Sequence, residues 1–368
     1  MDKNVLITEP KKVANLFNGY FSTIAEKLQR NIHANNEDFN IYLNNRNEYS
    51  FFINPTNDSE IINIINSFLS LNKVYGPHSI PIDILHLIKL IVATPLSEII
   101  NLSFEKGVYI ENLKLSKIIP IFKDKDSNLN CINYRPISLL SNINKIVEKI
   151  MYKQLDNFVT KHNITYNHQY GFRRNHSTNH VLLDLTEDIR NAIDANRFAV
   201  GIFIDLQKAF DTVDHHILLC KLNHYGIRGI ANLWFKSYLT NRKQFVSIEG
   251  VNSNLATIEF GVPQGSVLGP LLFLIYINDL HKAIKFSTTR HFADDTNLLI
   301  KNNSLKQLKK HLNHDLRELV KWLKVNKITL NKSKTELIIF RHPNKKMNYE
   351  LKIKLDVNDY IQQMLLNI

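Results

Sequence analysis

The sequence predicts an α+β fold, and three stretches carry that prediction. Phe198 to Ile204, FAVGIFI, is a continuous apolar run with Asp205 at its C-terminal edge, the pattern of a strand buried on both faces. Arg290 to Ile300, RHFADDTNLLI, places Asp294 and Asp295 between two apolar stretches, which predicts a hairpin with the acids at its tip. Leu305, Leu308, Leu312, Leu316, Leu319 and Leu323 recur every three or four residues, the spacing of an amphipathic helix.

The remaining elements follow in chain order. Val13, Leu16, Phe17, Tyr20, Phe21, Ile24 and Leu28 have helical spacing, with Pro10 near the first turn. Asn31 to Asn57 is rich in Asn and weakly patterned, and reads as a linker. Asp58 or Ser59 then caps a helix through Ile61, Ile65, Phe68 and Leu69. Gly76 to Pro81 is a turn, and helical patterning resumes from Ile84 to Leu102. Ile118 to Leu140 reads as a β-ribbon, two short strands around a polar loop. A helix follows through Ile146, Ile150, Leu155 and Phe158, then a loop, HQYGFRRNHST (His168 to Thr178), then a helix through Val181, Leu185 and Ile189. After the strand at 198–204, Asp214 caps a helix through Ile217 and Leu222, and a second helix holds Leu233, Trp234 and Leu239. Phe245 to Phe260 alternates as a hairpin. GVPQGS is a loop, and Val267 to Ile284 is the most apolar helix. Ser304 with Gln307 forms a capping box for the leucine helix, and Leu330 to Phe340 is a turn and a strand.

The chain has 368 residues, 44% of them hydrophobic, enough for a sizeable core and too many for a disordered chain. The net charge is +12, and residues 301–346 hold 13 Lys and Arg against three acids, Asp315, Glu318 and Glu336. That balance favours a polyanionic partner, although solvated lysines alone produce the same count. Cys131 and Cys220 are isolated, so spacing builds neither a zinc site nor a disulfide framework. The opening, MDKNVLITEP, is not a signal peptide, and the apolar run around Leu271 to Ile277 is too short to span a bilayer. The expectation is a soluble intracellular chain, in cytoplasm or nucleus, without a membrane partner.

The acids carry the chemistry. Adjacent carboxylates repel one another, and a divalent cation is the usual remedy, although Asp-Asp is also ordinary turn chemistry. If the strand ending at Asp205 lies beside the hairpin of Asp294 and Asp295, three carboxylates converge at one sheet edge. Such a cluster suits two magnesium ions roughly 3.5–4 Å apart, which stabilise the attacking and leaving oxygens of phosphoryl transfer.

Five blocks then stand in order: YRPISLL from Tyr134, GFRRNHST from Gly171, FIDLQKAFDTVDH from Phe203, GVPQGSVLGPLLFLIYINDL from Gly261 and FADD from Phe292. Together they resemble the reverse transcriptase of non-LTR (LINE-type) retrotransposons, closest to the jockey-like group. The resemblance covers roughly residues 10–355. It implies a right-hand polymerase fold of fingers and palm, with an antiparallel palm sheet bearing the acids. It implies RNA-directed DNA synthesis with two Mg2+ ions, dNTPs, an RNA template and a DNA primer. Protein partners are not indicated. The implied organisation is a helical N-terminal extension over 1–100, a reverse transcriptase domain over 101–343 (fingers about 101–195, palm about 196–343) and a divergent tail over 344–368.

Residue by residue, the resemblance assigns Asp205 and Asp294 as metal ligands and Asp295 as a supporting acid. Leu206 adds a backbone carbonyl. Phe210 matches the bulky residue under the sugar that excludes a 2′-hydroxyl; a plain core Phe is the alternative. Gln264 and Gly265 match the loop packed on the incoming nucleotide and template base, or else form a mere turn. Lys123 and Arg135 match triphosphate-gripping residues of the fingers, for which an Arg fork is well suited; for Lys123 a surface salt bridge competes. Lys334 matches a general acid for pyrophosphate, or is a solvated lysine. Asp214 is explained by capping and His215-His216 by a helix start. Trp234 and Trp322 read as core, and the lysine-rich face after Ser304 as a solvated face that could also track a nucleic-acid backbone.

Three departures qualify the resemblance. About 100 residues precede the fingers, too few for the family's endonuclease. The ending LDVNDYIQQMLLNI does not match the family's primer-grip hairpin or thumb, and His78 replaces an Asp. An alternative function is therefore a truncated retroelement remnant that binds nucleic acid without efficient catalysis. An RNA-directed RNA polymerase is a third, disfavoured by Phe210.

Overall fold

A computed structural model describes residues 6–32, 38–68, 75–123, 127 and 129–346, and the backbone of strands at 354–356, 359–360 and 362–367. In chain order the helices and strands are α1 (Pro10–Arg30), α2 (Asp58–Asn66), α3 (Ile82–Lys106), β1 (Leu115–Phe122), β2 (Tyr134–Leu139), α4 (Asn142–Lys161), α5 (Thr178–Asp194), β3 (Phe198–Ile204), α6 (His215–His224), α7 (Gly229–Leu239), β4 (Arg242–Ile248), β5 (Val251–Asn252), β6 (Ala256–Ile258), α8 (Gly269–Ile277), β7 (Thr288–Phe292), β8 (Asp295–Asn302), α9 (Leu305–Val325), β9 (Glu336–Arg341), β10 (Lys354–Asp356), β11 (Asp359–Tyr360) and β12 (Gln362–Asn367). Leu69 of the expected second helix, residues 33–37 of the expected linker and most of the side chains of the expected tail lie outside the described residues.

The chain divides into two compact units. One comprises residues 1–28, 46–162 and 210–272; the other comprises 29–45, 163–209 and 273–368. In the first, β1 pairs with β2 antiparallel and with β4 parallel, and β4 pairs with β5 and β6 antiparallel. Ala14, Phe17 and Phe21 of α1 bury against Ile118 of β1 and Val246 of β4. The expected linker is partly built into this unit. Asn47 and Phe51 donate their backbone N–H groups to the carbonyls of His224 and Gly226 at 3.1 and 2.9 Å, and Phe51 packs edge-on against Phe158. Period-based reading misses such a segment because one buried ring and its hydrogen bonds leave no repeat. The cap of α2 is Asn57, whose side chain accepts from Glu60 N–H, rather than Asp58 or Ser59.

By length and composition α3 is one helix that would suit a bilayer, with a mean hydropathy of 1.5 over its most apolar window. Its buried residues include Leu85, Ala93, Ile100 and Phe104, and it packs on α2 and α7. Trp234 of α7 is fully buried and donates its indole N–H to Ser103 Oγ at 3.1 Å.

The second unit is built on a five-stranded sheet in the order β12-β9-β3-β8-β7. Four of its strands run antiparallel; β12 joins β9 in parallel, so the sheet is mixed rather than wholly antiparallel. The central strand β3 is buried almost throughout, as its unbroken apolar run requires. One sheet face packs Ala199, Phe203, Leu299 and Phe340 on Leu185, Ile189 and Ala192 of α5. α9 follows β8 directly. Its leucines are buried, Ser304 caps it by accepting from Gln307 N–H at 3.4 Å, and Trp322 donates its indole N–H to Asp279 at 3.1 Å.

The most apolar helix ends at Ile277 instead of Ile284. There Asn278 Oδ1 accepts from Tyr166 N–H at 2.8 Å and Asp279 takes the Trp322 indole, so both side chains bond outside the helix and the chain tightens into a 3₁₀ turn at 280–283.

Candidate active site

Strand pairing in the second unit brings the acids together. β3 pairs with β8 up to Ile204 opposite Thr296, so one further step along the ladder sets Asp205 opposite Asp295. β7 pairs with β8 up to Phe292 opposite Asp295, leaving Ala293 and Asp294 as a two-residue loop. Because side chains alternate along a strand, Asp205 and Asp295 fall on the same sheet face as Phe203 and Leu299, the α5 face.

Electrostatics record the proximity. Partial burial and the charge of Asp205 push the Asp295 carboxyl above its ordinary value, and the Lys334 ammonium opposes the shift. Lys334 Nζ lies 3.8 Å from Asp205 Oδ2, on a largely exposed side chain, so it is a loose ion pair. A tighter partner escaped sequence reading. Asn331 donates from Nδ2 to Asp205 Oδ2 at 2.6 Å and from its backbone N–H to the Asp205 carbonyl at 2.8 Å. Ser333 donates its hydroxyl to Asn331 Oδ1 at 2.9 Å, which turns the amide nitrogen toward the acid. The signal for this role was present in LNKSK, where an Asn precedes a Ser by two in a turn, but turn chemistry explained it equally well.

Among the described residues no group of three or more His, Cys, Asp or Glu side chains forms a metal cage. Three converging carboxylates were expected from the sequence; the ladder sets two side by side and Asp294 in the adjoining loop. The donor set still suits a hard dication. Magnesium takes one or two protein carboxylates and completes its octahedron with water and substrate phosphate.

The hairpin loop is itself strained. Ala293 has φ +58°, the sign that the first central position of such a loop normally reserves for glycine. Two features outside the acid motif hold it. Gln169, nearly fully buried, accepts the Ala293 N–H at 3.1 Å through Oε1. Arg290 of β7, 1% exposed, donates from Nε to Asp184 of α5 at 2.8 Å and also bonds Asp188, which Lys301 of β8 reaches at 2.7 Å. The Arg290 guanidinium holds the Asp184 carboxyl far below the usual carboxylate range. Burial raises Asp188, but the hydrogen bonds from Lys301 and Arg290 outweigh it.

Of the other expected residues, Leu206 lies in the second unit. It is buried and forms an antiparallel bridge with Leu330. Phe210, Gln264, Gly265, Lys123 and Arg135 belong to the first unit. There the 261–265 loop is tied to the Phe210 segment, with Val262 N–H donating to the Phe210 carbonyl at 2.9 Å and Gln264 Nε2 donating to Asp211 at 2.7 Å. Ser138 of β2 donates its N–H to the Gln264 carbonyl at 2.7 Å. Gly265 has φ +111°, and a Cβ there would stand 2.7 Å from the Ser138 carbonyl oxygen, so glycine is required. Glu148, fully buried, anchors the far end of the loop by accepting Val267 N–H at 2.6 Å. Arg135 is exposed on β2 opposite Ile121. Lys123 Nζ donates to the Ile132 carbonyl at 3.0 Å. Asp214 caps α6 by accepting Ile217 N–H at 3.0 Å, and His215 opens that helix and bonds the Gly261 carbonyl, as a structural role requires.

A model of the family described as reverse transcriptase (RNA-dependent DNA polymerase) matches residues 122–353. The chain is 32% identical over 301 residues to a probable RNA-directed DNA polymerase from transposon BS of Drosophila melanogaster, covering 78% of this chain and 32% of that one. It is 31% identical over 255 residues to the RNA-directed DNA polymerase from mobile element jockey of the same organism, covering 67% of this chain and 27% of that one. A probable RNA-directed DNA polymerase from transposon X-element, also of Drosophila melanogaster, is 36% identical over 167 residues, 45% of this chain and 18% of that one. The chain thus spans about a third or less of the length of these relatives. With a family match over more than half of its residues, and with the acid-tipped hairpin in place, the chain belongs to the reverse transcriptase family, among relatives of the jockey and other non-LTR retrotransposon kind.

Proposed function

We propose that this chain carries out RNA-directed DNA synthesis, joining a deoxynucleotide from a dNTP to the 3′-hydroxyl of a primer on an RNA template. One observation carries the reading: in a chain of this family, Asp205 and Asp295 fall on facing strand ends, with Asp294 in the loop between β7 and β8. These are hard oxygen donors at the edge of a rigid sheet, and two Mg2+ ions bound there would neutralise charge at the attacking and departing oxygens. Asp205 and Asp294 would be the metal ligands, with Asp295 in support and Leu206 offering its carbonyl. Asn331 and Lys334 would steady Asp205, and Lys334 could give a proton to the departing pyrophosphate.

The polymerase core would run over residues 101–343, with fingers and a palm. In the first unit Phe210 would exclude ribose, Gln264 and Gly265 would pack on the nucleotide, and Arg135 and Lys123 would grip phosphates. Each of these roles rests on the resemblance.

The test uses purified chain, a poly(rA) template, an oligo(dT) primer, dTTP and magnesium. Incorporation that Asp294→Asn abolishes supports the proposal. Tight template-primer binding without extension overturns it in favour of a nucleic-acid-binding remnant.

A further inference from the structure

The loop HQYG, His168 to Gly171, lies beside the strand that delivers the acids. His291 N–H donates to the His168 carbonyl at 2.9 Å, and Tyr170 N–H donates to the His291 carbonyl at 2.8 Å. These bonds make a one-rung parallel bridge between Gln169 and His291. The bridge aims the Gln169 side chain at the hairpin tip. Its Oε1 accepts two backbone N–H groups, Gly171 at 2.8 Å and Ala293 at 3.1 Å. Nε2 lies 3.5 Å from the Ala293 carbonyl, a weak contact. Gly171 permits the approach, since a Cβ there would meet the Ala293 nitrogen at 2.2 Å. Gln169 and Ala293 are 3% and 6% exposed, so water does not substitute for this acceptor.

The consequence is geometric. Ala293 is held at φ +58°, where an L-residue other than Gly, Asn or Asp rarely stays without external support. Relaxation of φ toward its ordinary sign would swing the Cα–Cβ direction of Asp294, the next residue, relative to Asp295 on β8. A buried acceptor fixed on the Ala293 N–H opposes that swing.

We propose that Gln169 is a positioning residue that locks the backbone of the Asp294–Asp295 turn into its catalytic conformation. This rests on the polymerase reading, so the test separates the two. Gln169→Met keeps length and volume and removes the acceptor, whereas Gln169→Glu keeps an acceptor oxygen. In the full chain, Gln169→Met should speed amide hydrogen exchange of Ala293 about tenfold, while amides of β3 stay protected. Gln169→Glu should retain the Ala293 protection. In primer extension, Gln169→Met should lower kcat on the order of 100-fold with the dTTP KM nearly unchanged, the signature of misplaced acids. Should Gln169→Met fail to fold, Gln169→Asn, one methylene too short to reach Ala293, carries the same comparison. Unchanged Ala293 exchange overturns the proposal, as does faster exchange with unchanged kcat. If the unsubstituted chain extends no primer, the polymerase reading fails and the exchange comparison alone decides the positioning role.

Discussion

Arg290 offers the sharpest quantitative test of how the acid hairpin is held. Its guanidinium is 1% exposed and bonds Asp184 and Asp188 of α5, so it ties β7 to the helix on which the sheet face rests. Arg290→Met keeps most of the volume and leaves two carboxylates facing a site with less positive charge. Removing one partner of a buried charge network costs about 3–5 kcal/mol. Asp184 and Asp188 are 32% and 26% exposed, so water recovers part of their solvation and the lower end, about 3 kcal/mol, is expected. Against a typical total of about 5–15 kcal/mol this is a large fraction.

The pH dependence follows from the same bonds. The folded pKa of Asp184 is depressed by Arg290, so its contribution is fully present above the unfolded value of about 3.9 and is lost as pH falls toward the folded value. The stability gap between Arg290→Met and the parent should therefore be largest at pH 7 and narrow by about 1 kcal/mol by pH 3. Urea unfolding followed by circular dichroism at the two pH values measures it. A gap below about 1 kcal/mol at pH 7, or one equal at both pH values, would refute the idea that this ion-pair network holds the strand.

Gly171→Ala should destabilise by about 1–3 kcal/mol in thermal unfolding, since its Cβ would meet the Ala293 nitrogen; Gly19→Ala in α1, where a Cβ meets nothing within 4 Å, should instead raise stability by roughly 0.5–1 kcal/mol. Equal effects of the two substitutions would show that the close approach at Gly171 is not real. His291 is buried and its pKa is pushed down to about 3, first by burial and then by the charges of His281 and His168. Its ring resonances should not titrate between pH 5 and 8, and because the unfolded chain takes up this proton below about pH 6.5, stability should fall as pH drops through that value. A His291 midpoint near 6.5 in an NMR titration would contradict the burial. Phe210→Ala should relax rejection of ribonucleotides by about 10–100-fold in competitive primer extension, and unchanged discrimination would assign Phe210 to the core.

Much of this architecture was legible because periodicity reports burial. The run 198–204 announced a central strand, the leucines of α9 announced a buried stripe, and the alternation around Asp294 announced a hairpin. Asp214, Trp234 and Trp322 also fell where capping and burial predict. What stayed hidden depends on partners distant in sequence. Asn331 bonds Asp205 across 126 positions, and Gln169 bonds Ala293 across 124. Neither residue type announces a role, because Asn and Gln are ordinary in turns and loops. The parallel pairing of β1 with β4 was equally silent, since each strand's own pattern is satisfied by several neighbours. The early end of α8 was missed because its apolar composition continues while Asn278 and Asp279 bond elsewhere.

The order of strands in the acid-bearing sheet has a consequence for biosynthesis. β3 leaves the ribosome as FAVGIFI, apolar on both faces, and its hydrogen-bonding neighbours β8 and β9 lie about 90 and 130 residues downstream. At about 5–20 residues per second, the nascent chain carries two open edges on its stickiest strand for several seconds to tens of seconds. Exposed apolar segments with unpaired edges are prone to aggregate until their partners arrive, so yield from recombinant expression should respond to chaperone supply and translation speed.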